Sequence, residues 1–314
     1  FMQNNFGEFA QSWMKHQTEY VASTFLEYGD HDKFLICIHL MNKTLDFYNQ
    51  NNIQLTMNEL FEKKQIEIHQ YNVIEISKVL NIPKETTRRK IVELEKLGAI
   101  KRIKKKIILD QSVLKSIKPV NSTKRTAVML SYISSLLKKY HVINFSINSE
   151  VMLEFLYSNF TKTWLLYYGL QIPIMINWKN YFNGDLAMWH IWACTSSNKT
   201  FTRNFAFKKK FVSLKKYPKE MEKVEKDIGL SAMTISNITH IPRATVIRKL
   251  KKLMKSKHLI IDKNKHYHMG VYKTDEVSKV FEKNMSVACD FLYNFFNLII
   301  FSKSKMNFLK NKLK

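Results

Sequence analysis

Apolar positions recur at helical spacing in three long stretches of the chain. Phe34, Ile38, Met41, Leu45 and Tyr48 form one stripe, and Met129, Ile133, Leu136 and Tyr140 a second. Phe281, Met285, Ala288, Leu292, Phe295 and Ile299 form a third. Steps of three and four residues bring such positions onto one helix face, so long amphipathic helices are expected there. Two shorter runs, IEISKVL at 74–80 and MTISNIT at 233–239, read as short helices. They end at NIP and HIP, because the residue before proline is pushed out of the α region. Pro83 and Pro242 then suit the first turn of a new helix, where the missing N–H costs nothing. On that helix Thr87, Ile91 and Leu94 in one case, and Val246, Leu250 and Leu253 in the other, fall at i, i+4, i+7 and should face the core. Behind each helix come two β-like runs: AIKRIKKKIILD around a lysine tip at 104–106, and LIIDKNKHYHMG around DKNK. NQNN at 49–52 and CTSSNKT at 194–200 read as loops.

The second phrase repeats the first. Aligning Pro83 with Pro242 sets an offset of 159 residues (242 − 83), and 9 of the 25 residues in 76–100 are then identical to 235–259. The identities are Ile76/Ile235, Ser77/Ser236, Ile82/Ile241, Pro83/Pro242, Thr86/Thr245, Arg89/Arg248, Lys90/Lys249, Leu94/Leu253 and Lys96/Lys255. The offset is about half of the 314 residues, so two related modules of about 150 residues are expected. Opposite the apolar stripe lie Glu85, Thr86 and Arg89 in one copy and Ala244, Thr245 and Arg248 in the other. Thr and Arg recur on the side where packing does not require them.

Charge narrows the partner. The chain has 51 Lys and Arg against 26 Asp and Glu, a formal net charge of +25, which favours a polyanion. Compositional drift can raise lysine, but it does not explain the shortage of acids. Hydrophobic residues at 45% and aromatics at 13% describe a globular chain, long enough for two domains with a core in each. The two helices differ in balance. Five bases face Glu85, Glu93 and Glu95 over 83–97, whereas six bases and no acid lie in 242–256. Lysines crowd the first hairpin, while Asp262 offsets Lys263 and Lys265 in the second.

A helix pair joined by a tight turn, with Arg and Thr outward near the start of the second helix, can read a DNA major groove. With a basic hairpin directly behind it, each of 72–111 and 230–270 resembles the winged helix-turn-helix family of bacterial regulators. The long helices before and after make each half similar to a MarR-type regulator, whose flanking helices build its dimer interface. The chain then resembles two such subunits fused into a pseudo-dimer. It departs from the MarR wing signature Asp-x-Arg: Ser112 stands where Arg belongs after Asp110, and the second copy has neither residue.

The resemblance implies a mainly α fold with small β-wings, in which tandem winged helix-turn-helix modules over 1–148 and 149–314 are framed by long amphipathic helices. It implies a sequence-specific regulator of transcription that binds double-stranded DNA as a monomer acting as a pseudo-dimer. A plasmid- or phage-type replication initiator, which also carries tandem winged helices, is the alternative; an architectural DNA-binding protein is a third class. The candidate DNA contacts are Lys84, Thr86, Arg88, Arg89, Lys101, Arg102, Lys104, Lys105 and Lys106 in the first module. In the second they are Arg243, Thr245, Arg248, Lys251, Lys252, Lys263 and Lys265.

Other chemistry finds little support. No Cys or carboxylate cluster completes a metal site around His240, His258, His266 and His268, and no cofactor is expected. There is no Gly-rich phosphate loop, Ser-His-Asp arrangement or HExxH; Asp185 and His190 read as isolated, and an enzyme is not expected. Cys37, Cys194 and Cys289 lie far apart without a CxxC and read as small buried hydrophobes in a reducing compartment. The N-terminal FMQNNFGEFAQSW has no basic or apolar signal region, and FLYNFFNLIIF at 291–301 is short for a membrane span, so a cytoplasmic protein is expected. The aromatics of 150–192 read as core, with an effector pocket as the alternative.

Overall fold

The computed structural model describes residues 1–63, 65–68, 72–104, 106–110, 118–206, 212–222, 228–270 and 274–303. Within them the chain is mainly helical, with two small antiparallel sheets. The first half runs α1 (Phe6–Tyr28), α2 (His31–Gln50), α3 (Met57–Glu62), β1 (Gln65–Ile68), α4 (Val73–Leu80), α5 (Lys84–Lys96), β2 (Ile100–Ile103), β3 (Lys106–Asp110) and α6 (Val120–Lys139). After α7 (Ser149–Ser158) come α8 (Phe160–Tyr181), α9 (Leu186–Ala206), α10 (Tyr217–Glu222), α11 (Ala232–Thr239) and α12 (Arg243–Lys255). The chain continues through β4 (Leu259–Ile261), β5 (Tyr267–Met269) and α13 (Thr274–Lys303).

Adding 159 to the bounds of α4 and α5 gives the bounds of α11 and α12, and the order of elements around them recurs. The repeat therefore extends well beyond the aligned phrases. Upstream, at the slightly shorter offset of 156 (198 − 42), Asn42-Lys43-Thr44 of α2 is echoed by Asn198-Lys199-Thr200 of α9. Each Thr hydroxyl donates to the carbonyl four residues back, Leu40 at 3.2 Å and Ser196 at 3.0 Å. Local signals set several element ends. Gly29, at φ 62°, closes α1 with its N–H on Phe25, a left-handed position that suits a residue without Cβ. Thr56 and Glu59 form a reciprocal capping box at the start of α3.

The chain forms two compact units, each drawn from two separate stretches of sequence. One comprises Phe1–His31 with Met175–Ser286; the other comprises Asp32–Ile174 with Val287–Lys314. The units therefore do not divide at the expected boundary between 148 and 149. The helix α8 passes from one unit to the other just after Pro173, which removes one backbone donor from that helix. The helix α13 makes the same passage after Ser286. A helix's apolar period shows that one face is buried, not which module buries it.

In the first unit α1 packs on α9 and α11. Phe6 meets Tyr217 edge-on with ring centroids 4.8 Å apart, and the N–H of Gly7 donates to the Val212 carbonyl at 2.9 Å. His31 Nε2 and His190 Nδ1 lie 3.2 Å apart in this core, so His190 is not isolated. In the second unit α7 packs on α6 and α3, Phe160 stacks on Trp164, and Phe155 meets Phe295 edge-on. Trp164, Tyr167, Trp178, Trp189 and Trp192 are all buried, each within its own unit's core.

One expectation fails here. CTSSNKT lies inside α9, not in a loop, and Thr195, Ser196, Ser197, Lys199 and Thr200 are buried. Ser and Thr favour loops because their hydroxyls compete for backbone groups, but Thr195 and Thr200 turn theirs onto the helix's own carbonyls. Among the described residues, Asp275–Ser302 of α13 is long and apolar enough to cross a membrane. Of the expected stripe on this helix, Met285, Ala288, Leu292, Phe295 and Ile299 are buried in the protein and Phe281 is half-buried.

Candidate nucleic-acid interface

Each half contains a helix pair followed by a hairpin, hereafter a head. The turn between the helices is built the same way twice. Asn81 and His240 take left-handed conformations, φ 48° and 58°. Ser77 Oγ then donates to the Ile82 carbonyl at 2.6 Å, and Ser236 Oγ to the Ile241 carbonyl at 2.7 Å. This bond gives a structural reason for the Ser77/Ser236 identity. Pro83 and Pro242 sit at the N-cap, one residue ahead of the expected first turn, with φ −53° and −52°. Thr87, Ile91 and Leu94 of α5, and Val246, Leu250 and Leu253 of α12, are the residues each helix buries. The opposite arc is left to solvent.

Behind α5, β2 and β3 pair antiparallel with Ile103 opposite Lys106, and Lys104 in the two-residue loop has φ 57°. Tight hairpin loops demand such positive φ values. Lys105, the middle of the expected lysine tip, lies outside the described residues. A third strand, β1, pairs with the far side of β3, and no pattern in the sequence pointed to it. In the second head β4 pairs with β5, and a single bridge between Leu230 and Tyr267 stands beside them. The loop of this hairpin is organised by Asp262. Its carboxylate accepts the N–H groups of Asn264 and His266 at 2.9 and 2.8 Å and lies 3.1 Å from His268 Nε2. These bonds hold the carboxyl below its ordinary range. Gly270 closes the hairpin where a Cβ would lie 2.3 Å from the Lys257 carbonyl oxygen, so no larger residue fits without a backbone shift.

The outer faces carry the candidate contacts. Lys84, Arg88, Arg89, Lys101, Arg102, Lys104 and Lys106 are exposed in the first head, as are Arg243, Arg248, Lys251, Lys252, Lys263 and Lys265 in the second. Thr86 and Thr245 are half-buried at matching places. The two faces differ in how much of this charge is already offset. In the first head Arg88 pairs with Glu85 at 2.9 Å, and Arg89 approaches Glu93 at 3.7 Å. Arg102 makes a two-pronged pair with Glu95, one arm at 2.5 Å, which residue spacing alone does not foresee. In the second head Ala244, Lys252 and Met254 replace those three acids. Among the described residues, no ion pair engages Arg243, Arg248, Lys251 or Lys252.

The recurring lysines are different. Lys90 is half-buried against Glu93 at 3.0 Å, and Lys249 is half-buried against Asp185. The first pair lies within α5, with Lys33 of α2 also 3.9 Å from Glu93, whereas the second ties α12 to Asp185, which is thus a structural partner and not an isolated acid. His258, just past α12, is fixed between Tyr181 Oη at 2.8 Å and Ser256 Oγ at 2.7 Å. Burial holds its pKa down and pushes the Tyr181 hydroxyl up to about 12. Both α5 and α12 thus turn a basic arc toward solvent, partly offset by acids in the first case. Comparison of the chain with protein-family models, curated proteins and solved structures found no match.

Proposed function

We propose that the chain binds double-stranded DNA sequence-specifically through two winged helix-turn-helix modules and regulates transcription. The observation that carries this reading is the recurrence of Thr86/Thr245 and Arg89/Arg248 on outward arcs. Each arc follows a left-handed turn and precedes a hairpin. Local bonds account for the recurring Ser77/Ser236 and Lys90/Lys249 but not for these. Arg can grip guanine O6 and N7 with two bonds, and Thr can meet a thymine methyl or a phosphate. In this reading α5 and α12 enter the groove while lysines of the hairpins and helices hold phosphates, which fix register without reading sequence. The net charge of +25 supplies general attraction to the duplex. One chain, as a monomer, serves an operator of two half-sites.

Selection of bound sequences from a random duplex pool tests the proposal, with Arg89→Ala and Arg248→Ala as variants. The expected outcome is one enriched motif in two parts. Each variant should lose about 1–3 kcal/mol and relax preference in one part only. Equal weakening on cognate and random DNA would make these arginines phosphate clamps. Absence of any enriched motif would leave an architectural DNA-binding protein. Genomic fragments that co-purify separate the biological roles: promoters support a regulator, and repeated sites beside a replication origin support an initiator.

A further inference from the structure

We propose that the two heads read unlike half-sites, Glu85 selecting cytosine in one while Ala244, at the same place, meets the methyl group of thymine in the other. This rests on the DNA-binding reading above. Under the 159-residue offset, the outward arcs pair Glu85 with Ala244, Thr86 with Thr245, Arg88 with Ile247 and Arg89 with Arg248. Two positions recur and two do not. A dimer of identical subunits presents the same arc twice and so favours a palindrome. Here the two arcs differ at the residues closest to the helix N-termini, the part that meets base edges in this docking mode.

The acid is the informative difference. Glu85 stands in the first turn of α5 with its side chain 78% exposed. A carboxylate there is repelled by every phosphate and lowers affinity for any duplex, so it is out of place in a basic DNA-binding face unless it recognises something. An ionised carboxylate only accepts hydrogen bonds, and in the major groove cytosine offers the N4 amino donor without an acceptor beside it on the same base. Adenine N6 is flanked by the acceptor N7, which repels the second oxygen. The Arg88 partner at 2.9 Å is a solvent-exposed pair three residues along the helix, and such pairs are weak, so the carboxylate can exchange it for a base. The bland account is that Glu85 serves the helix dipole at the N-terminus. Against it, α12 has the same length and start with no acid in its first turn. The fold does not need one there. Ala244 is exposed at that place and offers a small apolar contact of the kind that fits a thymine methyl.

The experiment uses the full chain and a random duplex pool, with Glu85→Ala, Glu85→Gln and Ala244→Glu, each checked by circular dichroism and thermal melting. The wild type should select two unlike halves, one containing cytosine at a fixed position. Glu85→Ala should cut discrimination at that position by about 5-fold to 150-fold while tightening binding to random duplex. Glu85→Gln, nearly isosteric, should move the preference from cytosine toward adenine, because an amide can bond N6 and N7 together. Ala244→Glu should introduce cytosine into the other half. A palindromic wild-type motif would overturn the proposal. So would a Glu85→Ala protein that binds every sequence more tightly by one factor with an unchanged motif, since Glu85 would then act only as a counter-charge. A wild type that enriches no motif at all would instead overturn the DNA-reading proposal itself, and this one with it.

Discussion

Ion pairing on the outer arcs makes the two heads unequal in salt dependence. Changing Arg243, Lys251 and Lys252 together to Ala removes three exposed charges that no acid offsets among the described residues. Changing Lys84, Arg88 and Arg89 together also removes three, but Arg88 and Arg89 stand against Glu85 and Glu93. Removing one phosphate-binding charge flattens the slope of log K against log salt by about 0.9. The second-head triple should therefore flatten it by about 2.7, and the first-head triple by about 0.9, since only Lys84 acts there as a net charge. Fluorescence anisotropy on a labelled duplex, read between about 50 and 200 mM salt, measures both slopes on one set of samples. Equal slopes for the two triples would refute the reasoning and show that Arg88 and Arg89 hold phosphates as fully as Arg243, Lys251 and Lys252 of α12 do.

The remaining predictions concern the hairpins, the turns and a buried pair. Lys104→Ala, Lys105→Ala and Lys106→Ala combined should flatten the salt slope by roughly two to three units while sparing sequence preference, and Lys263→Ala with Lys265→Ala by much less; titrations at several salt concentrations compare them. Ser77→Ala and Ser236→Ala should each destabilise their head by about 1 kcal/mol by removing the bond to Ile82 or Ile241, seen as a lower urea midpoint. His31 is pushed down to about 4 by burial, and His190 well below its ordinary value by burial and by its neighbour. Because folding depresses these pKa values, the stability is present above about pH 6.5 and is lost as pH falls toward 4. The loss should be on the order of 3 kcal/mol for His31 alone. Melts between pH 7 and pH 4 should show a shallower decline for His31→Phe than for the wild type, and parallel declines would contradict the assignment.

Short-range features were legible along the chain. The stripes Thr87/Ile91/Leu94 and Val246/Leu250/Leu253 are buried as their spacing requires, because a helix puts i, i+4 and i+7 on one side whatever lies against it. The turns before Pro83 and Pro242 follow from local steric rules, and the hairpins from alternation around polar tips. The repeat itself needed only an alignment. What tertiary structure decided was partnership. Periodicity could not say that α1 would join the unit holding the second head, or that α8 and α13 would each be shared between units, since an apolar stripe carries no address. Composition could not say that CTSSNKT would be helical, because the Thr195 and Thr200 hydroxyls stop competing only when folded back onto the carbonyls of α9. Nor could a charge count separate Arg102, committed to Glu95 seven residues upstream on another element, from Arg248, with no acid in reach on its helix. Charges in a sequence add as a total, whereas charges on a surface are offset pair by pair, and only the fold brings the pairs together.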